Sequence, residues 1–373
     1  MEVAMSSSSG DTFRFAALSA VKHGYVPMGV AAHPRFTPVV VADDADQGDW
    51  VHERNQLLAD ELGVPYVKDV EKAIAEYDVQ VAVISSQAER HCDLSVRAAD
   101  AGLHIIQDKP MSTAVSECDR VIEAVERNYV KFMMWNRNFM PALLQARDAV
   151  RSGAVGVPHA IHVDFYFASD AGPHKGSAKP GDAPIDWLEY QKDAHATGRD
   201  GGVGLEPMGE LKIEGIYPLA YIQMLLGADV QQVFARTASH FHQVNVDNNV
   251  EDLASVTLEM EHGILGSLAI GRIGKASHPD GGLIKIWVMG SEGALAINES
   301  KPEAGVYYRG QPAGEARNQR VAGEGDYLLV DDFANAIDTD GDTILDARAG
   351  RAISATVEAA LESGRTGSPV TVT

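Results

Sequence analysis

The chain has 373 residues, enough for two domains, and its hydrophobic fraction of 45% and charged fraction of 23% argue against a disordered polypeptide. Its 53 Asp and Glu against 31 Lys and Arg leave a formal net charge of -22, which disfavours nucleic acid or an anionic membrane as the main partner, because both need basic patches. Cys92 and Cys118 form neither a disulfide framework nor a metal-binding spacing, so no metal site is expected.

Residues 1–10 are Ser-rich, lack the apolar core of a signal peptide and read as a disordered tail. No apolar run is long enough to span a membrane, and the protein is read as soluble and cytoplasmic. From residue 13 onward, strand-like runs (13–19, 38–42, 79–85, 104–107) alternate with helical patterns (50–62, 70–77, 91–101, 112–128). Continuous apolar strands alternating with helices imply βαβ units and a doubly wound parallel sheet over residues 11–136.

The rhythm then changes. A helix at 140–152 ends at Gly153, and a strand follows at 159–167. Residues 168–204 form a long polar stretch rich in Gly, Pro and Asp. A helix at 211–226 stops at Gly227, strands follow at 230–242, 252–261, 263–273, 283–289 and 294–298, and His262-Gly263 makes a tight hairpin turn. Helices at 327–338 and 347–363 close the chain. Residues 137–373 are therefore expected to form an α+β domain with a large open, mostly antiparallel sheet, one face of which is left to bind substrate or another subunit.

A doubly wound sheet binds ligands beyond the carboxyl ends of its strands. The loop after the first strand, Ser19-x-Val21-x-x-Gly24, lacks the GxGxxG fingerprint. Ala20 is small enough for a phosphate to approach the backbone, and Lys22 and His23 add donors; a turn with no ligand is the other reading. The second strand ends in Asp43-Asp44, where a carboxylate accepts from the ribose hydroxyls and repels a 2′-phosphate, favouring NAD over NADP. The pair also suits a helix cap, and Asp46 is a third acid nearby.

The fourth strand ends in Gln107-Asp108-Lys109-Pro110, and here the chain resembles the Gfo/Idh/MocA oxidoreductases (glucose–fructose oxidoreductase, inositol dehydrogenase, rhizopine catabolism), whose signature at this place is Glu-Lys-Pro. Other matches follow in order. They are residues 81–86 with Ser85, Ser86 and downstream His91, Ala98-x-x-Ala101-Gly102-x-His104, and Asn136-Arg137-Asn138-Phe139-x-Pro141. Further along come Gly215-x-Tyr217-Pro218-Leu219, Asp331-Asp332-Phe333 and Gly364-Arg365-x-Gly367-x-Pro369-Val370. The resemblance implies a Rossmann NAD-binding domain with Ser85, Ser86, His91, Asp108, Lys109, Pro110 and Arg137 about the cofactor, and Lys109 and Arg137 about the substrate. It also implies a cis Lys109–Pro110 bond.

In this reading Lys109 polarises the hydroxyl being oxidised and stabilises alkoxide charge. The family's usual D-x-G-x-x-x-H is altered: the Asp position falls on Ile213, and Tyr217 lies at or beside the His position. Glu210, Glu214 and Tyr217 sit at i, i+4 and i+7, so one helical face carries all three, with packing and solvation as their plainer roles. The 168–204 stretch suits a substrate lid, with Trp187 as a sugar platform and His195 as a polar contact, or an oligomerisation loop. His240 and His242 read as the polar face of a sheet, Asp338-Thr339-Asp340-Gly341-Asp342 as a turn without EF-hand spacing, and Tyr307-Tyr308 as strand residues.

The expectation is an NAD(P)-dependent dehydrogenase acting on a sugar, sugar derivative or cyclitol, forming a homo-oligomer, a dimer or tetramer. A redox-neutral enzyme using transient sugar oxidation is the first alternative, and a non-catalytic nucleotide sensor, suited by the missing glycines, is the second.

Overall fold

The computed structural model describes residues 12–136, 141–168, 209–240, 243–274, 282–298, 303–308, 314–317 and 324–373. The 1–10 tail, Arg137, Trp187, His195, His242 and almost all of the 168–204 stretch lie outside the described residues. The chain divides into two compact units.

The first unit holds residues up to Asp108, Asp119–Trp135 and Asp326–Ala347. Its sheet has six parallel strands: β1 (Phe13–Leu18), β2 (Phe36–Ala42), β3 (Tyr66–Val67), β4 (Val81–Ile84), β5 (His104–Gln107) and β6 (Phe132–Met134). Phe15, Val40, Val41, Val83, Ile84 and Ile106 are wholly buried in it, which is why these strands read as continuous apolar runs. The strand order β3-β2-β1-β4-β5-β6 reverses between β1 and β4, the switch point where doubly wound sheets open a crevice.

In this unit two strands and one helix escape the sequence pattern. β3 and β6 are too short for a run to register, and the helix Tyr25–Ala31 carries Pro27 and Gly29 within seven residues. Pro27 sits in the first turn, where its missing N–H costs no helical hydrogen bond. A late segment closes this unit. Arg35 makes a two-pronged ion pair with Asp338 (2.6 and 3.0 Å), Thr343 Oγ1 donates to Phe132 O, and Met134 N donates to Leu345 O.

The second unit holds Lys109–Cys118, Asn136–Gly325 and Arg348–Thr373. Its nine-stranded sheet runs β14-β13-β12-β11-β7-β10-β9-β8-β15. In chain order the strands are β7 (Pro158–Ala168), β8 (Val230–Ala238), β9 (Leu253–Met260), β10 (Leu265–Gly274), β11 (Gly282–Gly290), β12 (Gly293–Asn298), β13 (Glu303–Tyr308), β14 (Gly314–Arg317) and β15 (Val370–Thr371). Neighbours are antiparallel except β7 and β10. The β9–β10 turn has both His262 (φ 60°) and Gly263 (φ 71°) left-handed, as a tight hairpin requires.

The helix expected at 211–226 is two helices, Glu210–Ile213 and Ile216–Leu226, broken at Glu214-Gly215. Gly215 is required there: a Cβ would lie 2.3 Å from Leu211 O. The second helix ends in left-handed Gly227. Among the described residues no helix is long and apolar enough to cross a membrane, and no group of three or more His, Cys, Asp or Glu is placed to hold a metal ion.

Candidate functional site

At the β1 end, Ser19 takes the left-handed conformation (φ 54°) that a fingerprint glycine would supply, so the sharp turn is kept without the glycine. The loop is clamped from inside. Ala20 N donates to Asn55 Oδ1, Lys22 N to Ser85 O and His23 N to Ser85 Oγ. Ser19, Ala20 and Val21 are buried, whereas Lys22 and His23 are half-exposed. Ala20 is thus buried, with its amide engaged by the Asn55 side chain.

The β2 end holds a charge network that the sequence shows only in part. Asp43 is wholly buried; its Oδ1 accepts from Asp44 N and Arg90 Nη2, and its Oδ2 accepts from Asn55. Asp44 accepts two parallel hydrogen bonds from Arg97 (2.8 and 2.9 Å) and one from Arg90 (3.0 Å). The Arg97 hydrogen bond, outweighing partial burial, holds the Asp44 carboxyl below the usual carboxylate range. Arg90 also donates to Ser19 Oγ. Asp46 is exposed and hydrogen-bonds its neighbour Gln47.

Between these ends, Ser85, Ser86, His91 and Asp108 are buried. Asp108 Oδ2 accepts from His23 Nδ1 and from Ser85 Oγ, tying the ends of β1, β4 and β5 together. His91 Nε2 bonds the Ser86 carbonyl, which closes the turn after β4. The donors present would fit a nicotinamide dinucleotide through the charged side chains of Lys22 and Arg90 more than through a glycine loop.

Lys109 follows Asp108 directly, and the Lys109–Pro110 peptide is cis, as the resemblance implied. Within the second unit Lys109 Nζ donates to Ile213 O (2.8 Å), stands 4.0 Å from Glu214 and lies 5.1 Å above the Tyr217 ring. The helix break produces this grouping. It exposes the Ile213 carbonyl to Lys109 and presents Glu214 and then Tyr217, whose ring stacks on Phe165 (6.3 Å between centroids).

The single face expected for Glu210, Glu214 and Tyr217 is corrected by the same break. Glu210 is buried, and its charge acts on Glu251. Glu251 Oε1 accepts from Leu211 N, and a Cβ on Gly209 would fall 2.0 Å from the Glu251 carboxyl carbon. Burial first, then the charges of Glu210 and Asp252, push Glu251 up to about 7 against the hydrogen bonds that lower it. Sequence reading missed both Arg90 and Glu251. The one available signal was a lone arginine directly before His91 in a strongly acidic chain.

Residues 47–135 match the model of an oxidoreductase family described as an NAD-binding Rossmann fold, and residues 208–372 match that family's C-terminal alpha/beta domain. The first match begins beyond the Ser19–Gly24 loop and Asp43-Asp44. The chain is similar to myo-inositol 2-dehydrogenase of Thermotoga maritima, 24% identical over 254 residues, which is 66% of this chain and 65% of that protein. The stretch matched thus spans slightly under two thirds of that relative's length.

Among solved structures, the fold is like that of an Agrobacterium radiobacter oxidoreductase in complex with NAD+, L-tartaric acid and magnesium. The TM-score is 0.78 at 17% identity, over 96% of this chain and 98% of that one. It is also like an Azotobacter vinelandii inositol dehydrogenase homolog complexed with NAD+, with a TM-score of 0.75 at 20% identity, over 97% and 98%. With both family models matched along most of its length and the Asp-Lys-Pro turn in place, the chain belongs to the Gfo/Idh/MocA oxidoreductase family.

Proposed function

We propose that the chain is a nicotinamide-dinucleotide-dependent dehydrogenase that oxidises a hydroxyl-bearing carbon of a sugar, sugar derivative or cyclitol. The observation that carries this reading is the grouping of Lys109 Nζ with Ile213 O, Glu214 and the Tyr217 ring at the Asp-Lys-Pro turn of a family member. The names of relatives, among them myo-inositol 2-dehydrogenase, support the substrate class. NAD and NADP both suit this reading, because the acid pair that would favour NAD is held by Arg90 and Arg97.

When bound, the dinucleotide supplies the hydride acceptor. Lys109 exchanges its bond to the Ile213 carbonyl for one to the substrate hydroxyl and stabilises the oxygen's growing negative charge. Glu214 balances the ammonium and, with the Tyr217 phenol, completes the acid–base set that takes up the hydroxyl proton. The Tyr217 ring, itself buried against Phe165, keeps water from one side of the ammonium.

Copies of the chain pair, in this reading, through the open face of the nine-stranded sheet. Leu265, Trp287 and Met289 lie exposed there, in register with Ala160 and His162 of β7.

The test is a panel of cyclitols and aldoses offered to the purified protein with NAD or NADP, read as formation of the reduced dinucleotide. Turnover of at least one polyol with either dinucleotide is expected. Dinucleotide binding with no reduction across the panel contradicts the substrate class, and no binding contradicts the whole reading.

A further inference from the structure

We propose that Arg90 sets the dinucleotide preference of this chain, turning the acidic end of β2 into a site that accepts a ribose 2′-phosphate, so that NADPH binds alongside NADH. This rests on the reading of the chain as a dinucleotide-dependent oxidoreductase. An acid at this strand end selects NAD in two ways: its lone pairs take the ribose hydroxyls, and its charge repels the 2′-phosphate.

Neither condition holds here. Asp43 is wholly buried and has both oxygens occupied by Asn55, Arg90 and the Asp44 amide. Asp44 accepts three guanidinium N–H bonds, two from Arg97 and one from Arg90, out of about four lone-pair positions on a carboxylate. Two guanidiniums face two carboxylates, so the repulsion that would reject a 2′-phosphate is cancelled locally. Arg97 also pairs with Glu71 and with Asp93, both mostly exposed and screened by solvent.

The position of Arg90 adds attraction to this neutralisation. It follows β4 in the chain, yet it reaches across the β1 end to Ser19 and on to the acids of β2, spanning the switch point. The buried Asp43 anchors it, so the guanidinium cannot swing away without leaving an unpaired buried charge. Its side chain remains 18% exposed, and three of the five N–H donors of a guanidinium are taken by these contacts. A planar fork held in place at the ribose end is the arrangement that binds phosphate by charge-assisted hydrogen bonds.

Calorimetric titration of the full chain with NADH and NADPH separately tests this. The wild type is expected to bind NADPH within about tenfold of NADH. The double variant Arg90→Ala/Asp43→Asn removes the buried acid together with its partner, so that no buried charge is stranded. It is expected to lower the affinity for NADPH relative to that for NADH at least about tenfold, read as the ratio of the two dissociation constants. The assignment is overturned by a wild type that prefers NADH by more than about a hundredfold, or by a folded double variant that weakens both ligands equally, as a purely structural clamp would. A wild type that binds NADH but not NADPH overturns the Arg90 assignment alone. One that binds neither overturns the dinucleotide reading as well.

Discussion

Glu251 gives a quantitative check on the packing behind the Lys109 grouping. Its carboxyl, buried beside Gly209, holds the Leu211 amide at the start of the Glu210–Ile213 helix and so supports the turn that delivers Ile213, Glu214 and Tyr217. Burial raises it from 4.5 to about 7. A carboxyl raised in the folded state binds a proton there that it has lost in the unfolded chain. Stability therefore falls as pH rises from about 4.5 to about 7 and is level above that.

A rise from 4.5 to about 7 corresponds to about 3 kcal/mol in full, of which less than about 1 kcal/mol is already lost at pH 5. Glu251→Gln keeps an acceptor for Leu211 N and abolishes the titration. Its stability relative to wild type, from urea unfolding at pH 5 and pH 8, is expected to improve by roughly 2 to 3 kcal/mol between the two. The baseline cost of the amide cancels in that comparison. A difference that is the same at both pH values refutes the raised carboxyl.

Other substitutions test other parts. Gly215→Ala drives a Cβ into the Leu211 carbonyl at 2.3 Å, and is expected to lower the melting temperature and to reduce turnover by displacing Glu214. Asp44 is held low by Arg97, so its stabilisation is present above the ordinary carboxylate range and is lost as pH falls through its folded value; Asp44→Asn should flatten the acid limb of a stability–pH profile. Trp287→Glu places a charge on the open sheet face, and sedimentation is expected to show a smaller assembly with secondary structure unchanged.

The parts of the molecule legible in the sequence are those whose signal is local. β1, β2, β4 and β5 announce themselves because both faces of each are buried, which makes the strands uniformly apolar. Lys109 stood out through the Asp-Lys-Pro turn. Glycine terminators such as Gly227 were legible because a left-handed end needs them.

What was not legible depends on distant pairing. Helical periodicity puts Glu210, Glu214 and Tyr217 on one face, but a backbone break at Glu214-Gly215 sends Glu210 inward toward Glu251; Pro218, in the first turn of the helix that follows, is the local mark of that break. The missing glycine fingerprint looked like a missing turn, although Ser19 makes the turn and Asn55 and Ser85 hold it from elsewhere in the chain. Asp43 and Asp44 looked available to a ribose because nothing in their neighbourhood of sequence reveals that Arg90 and Arg97 fold back onto them.

In the proposed function Lys109 performs chemistry on a polyol and is not merely a half-buried cation above Tyr217. Lys109→Met separates these, with dinucleotide affinity and steady-state oxidation of the best polyol measured on the same preparation. Dinucleotide affinity within about threefold of wild type, with kcat/KM lowered at least about a hundredfold, is the result predicted. A variant that binds the dinucleotide and turns over the polyol at the wild-type rate would contradict a chemical role for Lys109.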